Sequence, residues 1–138
     1  DAARLAAENA TDEDIRRLEA TLQLHHRYVE DNVDPVDPAL DFHLAVTQAS
    51  HNKFMAAVLS LLVFEEKQIE ATIEVLRTRE MGSVYVVEHD DIMQAIREHN
   101  PQRAESLMEA HMQAILDEVE KQVEEFDENN EDLPRWIR

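Results

Sequence analysis

Histidine is the residue type in this chain whose number and spacing could support metal chemistry. The sequence contains seven histidines, and three of them, His43, His89 and His111, stand among apolar residues that recur at intervals of three and four. Residues three and four apart lie on the same side of a helix, so each of these imidazoles is predicted to point inward. A buried imidazole needs partners for its ring nitrogens, which makes these histidines the first candidates for a functional site.

Two interpretations of the three histidines remain open from their spacing alone. Imidazoles from three different helices could converge on one divalent metal ion, with zinc and nickel as the first candidates. A site with three histidine ligands leaves a coordination position open for water or a carboxylate. Alternatively, a backbone carbonyl or a side chain satisfies each histidine separately, and the three share no site.

Other polar residues are candidates for contact with a ligand. The helix predicted after Asn52 carries an apolar stripe made of Phe54, Val58, Leu61, Leu62, Ile69, Ile73 and Leu76. Glu65 falls within this stripe, where it either reaches water at the stripe edge or lines a cavity near the histidines, and Gln68 is a similar candidate. His25 and His26 are adjacent and cannot both face the core, so at least one of them is expected at the surface.

Helices must position these side chains, because the composition favours helix over sheet. Good helix formers dominate, and a single glycine and four prolines are too few for the many turns of an all-β fold. Periodic apolar residues predict about six helices joined by short connectors, which indicates an all-α antiparallel bundle. We expect helices at about residues 2–8, 11–30, 38–50, 52–79, 84–99 and 101–125.

Capping residues predict several of the helix boundaries. Thr11 is predicted to cap the second helix, with Asp14 completing a variant of the capping box. Asp37 is predicted to cap the third helix, with Pro38 at its first helical position. The other boundary signals are Asn52 before the fourth helix, a turn at Gly82 and Ser83 before the fifth, and Pro101 at the start of the sixth.

The charge of the chain excludes several classes of partner. Acidic residues outnumber basic ones 31 to 13, which gives a formal net charge of −18. Nucleic-acid binders usually carry a basic patch, and anionic membranes repel acidic proteins, so we expect this chain by itself to bind neither. Cysteine is absent, so no disulfide or thiolate site can form, which suits a cytoplasmic location.

The start of the sequence predicts a longer protein. Residues 1–8 are charged, contain no signal-peptide apolar stretch and do not begin with Met. They read as the end of a helix whose beginning is missing. We therefore expect this chain to be one part of a larger polypeptide.

Three segments resemble one family of regulatory domains. Residues 42–52, FHLAVTQASHN, are similar to the Phe-His-x-x-(Leu/Ala/Val)-x-x-Ala-Ser-x-Asn signature of the FCD domain. That domain is the C-terminal effector domain of the FadR subfamily of GntR regulators. Residues 2–15, AARLAAENATDEDI, resemble the family's first helix and its turn into the second. Residues 88–112, EHDDIMQAIREHNPQRAESLMEAHM, resemble its closing pair of helices, so the resemblance touches nearly the whole chain in order.

The resemblance implies a bundle of six or seven helices around a central ligand cavity. In many FCD domains an Asp and three His hold a divalent metal there, and the three histidines match His43, His89 and His111. The family's Asp stands four residues before the first His, where this sequence has Ala39. The site is therefore predicted to lack one carboxylate. Either Glu65 or the effector's own carboxylate supplies it, or the metal binds weakly or not at all. The predicted effector-binding residues are Ala39, Glu65 and Gln68.

The resemblance also implies a function. It predicts a domain, at residues 1–126 with a polar tail at 127–138, that senses a small organic acid and is not an enzyme. The domain would act as a homodimer and modulate DNA binding by an N-terminal winged helix-turn-helix domain outside this sequence. Two rival functions are a metal-dependent hydrolase on a helical bundle and a dimerisation or interaction module without a ligand. The sequence lacks the Glu-x-x-His pairs of di-iron bundles.

Overall fold

The structure is a computed structural model that describes residues 1–33, 35–64 and 79–128. Within these ranges the chain forms six helices and no strand, which confirms the predicted all-α fold. The helices are α1 (Ala2–Asn9), α2 (Asp12–Glu30), α3 (Val36–Ala49), α4 (Lys53–Phe64), α5 (Arg79–Arg97) and α6 (Pro101–Glu128). Helix α2 packs on α3 and α5 packs on α6, as short connections between neighbours in a bundle require.

Helix α1 fits among three other helices because one of its faces consists of alanine. Ala3, Ala6 and Ala7 are buried, and α1 contacts α3, α5 and α6. Small side chains allow helix axes to approach closely, since the distance between two axes depends on the residues at the contact. Larger apolar side chains complete the core, among them Leu18, Leu22, Phe42, Val46, Ile92 and Ile96.

The predicted caps of α2 and α4 are present. The Thr11 hydroxyl accepts a hydrogen bond from the Asp14 backbone N–H, and the Asp14 carboxylate accepts one from the Thr11 N–H at 2.9 Å. This is the reciprocal capping box. Before α4, the Asn52 side-chain oxygen accepts bonds from the N–H groups of Phe54 and Met55. Both caps satisfy backbone donors that the first turn of a helix leaves without partners.

In the part of the chain that the structure describes, three helices are followed by a residue with a left-handed backbone, and none of these residues is glycine. Asn32 follows α2 with a φ of 64°, His51 follows α3 with 55°, and His99 follows α5 with 50°. After α5 the Asn100 N–H bonds to the Ala95 carbonyl, as in a Schellman C-cap. The chain has a single glycine, so other residues adopt a conformation that costs them roughly 1 kcal/mol.

The predicted start of α3 is wrong. The helix begins at Val36, so Asp37 lies in its first turn and does not cap it. Pro38 fits this turn because the N–H groups at the start of a helix have no partner within the helix, and a missing donor there costs nothing. The Pro38 side chain is also buried, so its packing contributes to the stability of this first turn.

The predicted turn at Gly82 and Ser83 is also wrong, because both residues lie within α5. A glycine inside a helix costs about 1 kcal/mol relative to alanine. Further along α5, Tyr85 and Ile92 are buried against the bundle, and burying one large apolar side chain contributes about 1.5–3 kcal/mol. Tertiary packing therefore outweighs the local turn signal.

The apolar stripe of α4 does not face the core where the structure describes it. Phe54, Val58 and Leu61 are 78%, 41% and 68% exposed. The predicted members Ile69, Ile73 and Leu76 lie outside the described residues, and Leu62 lies in the helix. The periodicity identifies an apolar face correctly but carries no information about what covers it. None of the described helices has the length and apolar character needed to cross a bilayer.

Candidate metal and effector site

Three helices bring His43, His89 and His111 together in one cluster. Helix α3 carries His43, α5 carries His89 and α6 carries His111. Their Nε2 atoms lie 3.2 Å apart for His43 and His89, 3.1 Å for His89 and His111, and 3.2 Å for His43 and His111. His89 and His111 are buried, and His43 is partly buried. The structure therefore places the three predicted histidines at a single point.

The three Nε2 atoms cannot satisfy one another. Each nitrogen of a neutral imidazole is either a donor or an acceptor. Among three nitrogens in mutual contact, at least two are of the same kind, so at least one of the three contacts joins two donors or two acceptors. A cation that accepts all three lone pairs would remove this conflict. The cluster is therefore better suited to a bound ligand than to self-sufficient packing.

The spacing of the three nitrogens fits a divalent metal. With metal–nitrogen distances of about 2.0–2.1 Å, ligand nitrogens lie about 3.3–3.4 Å apart in a tetrahedral site and about 2.8–3.0 Å apart in an octahedral one. The observed separations of 3.1–3.2 Å between the Nε2 atoms lie between these values. Among the described residues, this group of three histidines is the one able to hold a metal ion. Three imidazoles are a ligand set that zinc and nickel accept.

Glu88 orients the ring of His111. Its Oε2 atom lies 2.7 Å from Nδ1 of His111. An ionised carboxylate only accepts hydrogen bonds, so the His111 proton resides on Nδ1 and the Nε2 lone pair faces the other two histidines. The spacing of apolar residues did not predict Glu88 as a site residue, because residues adjacent in sequence do not share a helix face. The available signals were its position next to His89 and its place at the start of the family-like segment 88–112.

His25 is a fourth histidine at the site, which the sequence analysis did not single out. It lies on α2, it is fully buried, and its Nδ1 atom is 3.3 Å from Nδ1 of His89. Its neighbour His26 is 43% exposed and pairs with Asp90 at 2.8 Å. One histidine of the adjacent pair therefore lies at the surface, as expected. The sequence could not decide which one, because either orientation of α2 buries a single histidine.

Burial keeps the imidazoles of His25, His43 and His89 neutral. Burial lowers the pKa of His25 to about 4 and the pKa of His43 to about 3, and repulsion from neighbouring histidines adds to this effect. The same causes lower the pKa of His89 well below its ordinary value. Neutral imidazole is the form that binds a metal, so His43 and His89 need no deprotonation at neutral pH before they can act as ligands.

A cavity lies against the histidine cluster. It has about 350 Å³ of empty space, part of which is open to solvent, and the four histidines contribute to its wall. Tyr85 also lines it, and the buried Tyr85 hydroxyl has no hydrogen-bond partner within the described ranges. Burial, with a smaller effect of nearby Glu88 and Glu118, raises the Tyr85 pKa to about 12, so the hydroxyl remains a donor. The rest of the wall is apolar and consists of Pro35, Val36, Ala39, Leu40 and Ile115.

Of the three predicted effector-binding residues, the structure describes one. Ala39 lines the cavity one helical turn before His43. Glu65 and Gln68 lie outside the described residues. Asp41, which lies closest to His43 in sequence among the acidic residues, is exposed. The position at which the resemblance predicts a carboxylate is therefore occupied by a methyl group that leaves space in the cavity.

The fold and the cluster define a class of protein: an all-α domain with buried neutral imidazoles beside a small cavity. The FCD domain family model matches residues 1–114, which is most of the chain. This chain belongs to the FCD domain family, as the sequence resemblance predicted.

Relatives of the chain are named as HTH-type transcriptional repressors. The chain is 30% identical over 116 residues to the HTH-type transcriptional repressor NanR of Klebsiella aerogenes, a match that covers 81% of this chain and 43% of that protein. It is 27% identical over 112 residues to the HTH-type transcriptional repressor NanR of Escherichia coli K12 and of Shigella flexneri, again with 81% and 43% coverage. The chain thus spans less than half the length of the relatives it matches.

Proposed function

We propose that this chain is the effector-sensing domain of a GntR-type transcription regulator. It binds a small organic acid in the cavity, beside a divalent metal, zinc or nickel, held by His43, His89 and His111. Binding of the acid modulates DNA binding by an N-terminal winged helix-turn-helix domain. The observation that carries this proposal is the triangle of three imidazole nitrogens at a cavity wall, in a chain of the FCD domain family.

The relatives support a regulatory role and not a catalytic one. The proteins from Klebsiella aerogenes and Escherichia coli are named as transcriptional repressors of the HTH type. This chain carries a net charge of −18, so contact with DNA phosphates is assigned to another part of the regulator. A regulator of this kind works where the DNA is, so we place it in the cytoplasm. The hydrolase and the ligand-free module receive no support from these comparisons.

The charge of the site favours an anionic effector. His43 and His89 are neutral, so as ligands they do not offset the positive charge of a divalent metal. Ala39 provides no carboxylate to offset this charge. A carboxylate effector supplies the missing negative charge and is a suitable occupant of the open coordination position. The acidity of the whole chain opposes its approach only weakly, since the screening length at physiological salt is about 8 Å.

The shape and lining of the cavity favour a small acid with an apolar body. Its empty space of about 350 Å³ includes space open to solvent, so only a small ligand fits in the enclosed part. Val36, Leu40 and Ile115 offer an apolar wall to a short hydrocarbon chain. The Tyr85 hydroxyl offers a donor to a second oxygen of the ligand. We therefore expect a short carboxylic acid.

Ligand binding can be coupled to the attached domains through the helices that build the site. The histidines come from α2, α3, α5 and α6, so occupancy stabilises the arrangement in which these four helices are close. A ligand shifts such an equilibrium only as far as its affinities for the two states differ. In the proposed regulator this shift changes the spacing of the paired DNA-binding domains relative to their half-sites.

We further propose that the regulator is a homodimer that uses α4. Two copies with a net charge of −18 repel each other, so they must meet over an uncharged surface. Between Lys53 and Phe64 the chain has no charged residue, and Phe54, Val58 and Leu61 are exposed there. Such a face suits a second copy of the same chain, because a two-fold interface joins the same patch on both partners.

The proposed metal and effector binding can be measured on the purified chain. After treatment with a chelator, zinc or nickel is titrated by calorimetry, and thermal unfolding is followed with acetate, lactate or butyrate. A ligand at about 100 times its Kd stabilises the folded state by about 2.7 kcal/mol. We expect the metal to raise the Tm, and the acid to raise it further when the metal is present.

Variants provide the matched controls. His43→Ala and His111→Ala are expected to lose metal binding while keeping their helical content by circular dichroism. His26→Ala removes a histidine that pairs with Asp90 outside the cluster, and it should bind metal like the unaltered chain. If neither metals nor acids shift the Tm of the unaltered chain, the proposal is wrong and a ligand-free module is favoured. Hydrolysis of ester or phosphate substrates by the zinc-loaded chain would favour the hydrolase.

A further inference from the structure

The contact between His25 and His89 constrains how the metal site works. Their Nδ1 atoms are 3.3 Å apart, with ring centroids 5.2 Å apart and ring planes at 57°. Both rings are buried, at 0% and 1% exposure, so water does not compete for this contact. Two lone pairs or two N–H groups at this distance would repel each other. The contact is favourable only when one nitrogen donates and the other accepts.

The other end of the His89 ring sets the direction of this hydrogen bond. Its Nε2 atom lies 3.2 Å from Nε2 of His43 and 3.1 Å from Nε2 of His111. To act as a metal ligand, Nε2 must be unprotonated, and a neutral imidazole then carries its proton on Nδ1. The Nδ1–H of His89 therefore donates to Nδ1 of His25, and His25 carries its own proton on Nε2.

We propose that His25 is the positioning residue for the metal ligand His89. By accepting the Nδ1–H of His89, it selects the tautomer and the ring orientation that present Nε2 to the metal. The inference rests on the proposed metal site and extends it to α2, which supplies no ligand of its own. His25 acts toward His89 as Glu88 acts toward His111, but with a neutral acceptor, so it adds no charge to the site.

The proposal also gives a reason for the presence of histidine at position 25, where one of its ring nitrogens is buried without a partner. Within the described part of the chain, Nε2 of His25 is buried and makes no hydrogen bond. An apolar side chain could fill the same space without leaving a polar atom unpaired, so the benefit of histidine at this position has to come from Nδ1.

Three substitutions of His25 distinguish the effect of losing the hydrogen-bond acceptor from the effect of losing the packing of the ring. His25→Phe keeps an aromatic ring and removes both nitrogens. His25→Asn brings an amide oxygen close to the place of Nδ1, whereas His25→Gln brings its amide close to the place of Nε2. Zinc affinity, measured by calorimetry, is expected to fall about 10–100-fold in His25→Phe and His25→Gln. His25→Asn is expected to recover part of the loss, and His26→Ala should bind zinc like the unaltered chain.

A spectroscopic measurement tests the tautomer directly. With nitrogen-15 labelled histidine and bound zinc, NMR is expected to show His89 protonated on Nδ1 and bound through Nε2. Loss of the hydrogen bond in His25→Phe should shift the Nδ1 signal of His89. If His25→Phe does not fold, as judged by circular dichroism, the comparison of His25→Asn with His25→Gln decides the question.

Three results would overturn the role of His25. These are unchanged zinc affinity in His25→Phe, equal losses in the three variants, or ligation of zinc through Nδ1 of His89. Failure of the unaltered chain to bind zinc would remove the proposed metal site together with this inference. Normal zinc binding by both the unaltered chain and His25→Phe would remove only the inference.

Discussion

The Nδ1 atom of His111 on α6 lies 2.7 Å from the Oε2 atom of Glu88 on α5. The His111 side chain is 1% exposed, whereas Glu88 keeps 34% of its side-chain surface in solvent. The pair therefore connects the buried cluster with the surface of the bundle. Because the carboxylate only accepts, it holds the His111 proton on Nδ1 and leaves Nε2 free to face His43 and His89.

Removal of the Glu88 carboxylate should weaken metal binding without unfolding the domain. Glu88→Ala is expected to lower zinc affinity about 10–100-fold, because the ring of His111 loses its orienting partner. Glu88→Gln keeps an acceptor oxygen and should lose less. Calorimetric titration measures both. Glu98→Ala, which removes an exposed glutamate paired with Arg103, serves as the control, and an equal loss there would contradict the role of Glu88.

Introduction of a carboxylate at position 39 should raise the affinity for the metal and lower the affinity for the effector. In Ala39→Asp the new carboxylate lies at the position where the family resemblance predicts one. We expect tighter zinc binding and weaker binding of acetate or lactate, because the added charge and volume occupy the place of the effector. Calorimetry with zinc, and then with the acid, checks both. Unchanged or tighter acid binding would contradict the proposed placement of the effector.

The Tyr85 hydroxyl should matter for the ligand and not for the fold. It is buried without a partner in the described structure, so Tyr85→Phe is expected to leave the stability of the ligand-free domain unchanged or slightly raised. If the effector accepts a bond from this hydroxyl, the variant should bind the acid less tightly by about 0.5–1.5 kcal/mol. Urea unfolding and calorimetry give the two values. A destabilised variant with normal acid affinity would assign the hydroxyl to the fold instead.

The capping box of α2 should make part of the stability depend on pH. Burial alone would raise the pKa of Asp14, but hydrogen bonds from Thr11 and His51 outweigh it and lower the pKa below its usual 3.8. A carboxylate with a lowered folded-state pKa contributes stability that is present above its unfolded pKa and is lost as the pH falls through the folded value. Asp14→Ala should therefore cost about 1 kcal/mol at pH values near 7.

That cost should shrink in acid, because the unaltered protein then loses the same contribution. Urea unfolding of both proteins at neutral pH and again well below the usual pKa of aspartate measures the difference. Asp12→Ala, an exposed change in the same first turn, provides the comparison. A difference between Asp14→Ala and the unaltered protein that stays constant down to strongly acidic pH would exclude this explanation.

Substitutions on the exposed apolar face of α4 should dissociate the proposed dimer into monomers. Phe54→Ser combined with Leu61→Glu places polar groups on the exposed apolar face and is expected to produce monomers. Val87, which is 58% exposed on α5, provides a control, since Val87→Glu should leave the dimer intact. Sedimentation measured over a range of concentrations distinguishes the species. A monomeric unaltered chain, or a double variant that remains dimeric, would exclude α4 as the interface.

The all-α class and several helix starts followed from the sequence, because they depend on local chemistry. Thr11 and Asp14 form their capping box within one turn, and the Asn52 side-chain oxygen accepts bonds from the backbone N–H groups two and three residues further on. The choice of His43, His89 and His111 was also available, since apolar neighbours three and four residues away reveal which side of a helix faces inward. Local signals failed at Gly82, where the packing of α5 outweighs the preference of glycine for a turn.

Only the tertiary structure decided which atoms meet. The contact of His25 with His89 joins residues 64 positions apart, and that of Glu88 with His111 joins residues 23 positions apart. Periodicity shows that a side chain faces inward, but it does not show which side chain of another helix it will meet. That depends on how α2, α3, α5 and α6 pack, because their relative rotation and translation set each distance between Nε2 atoms.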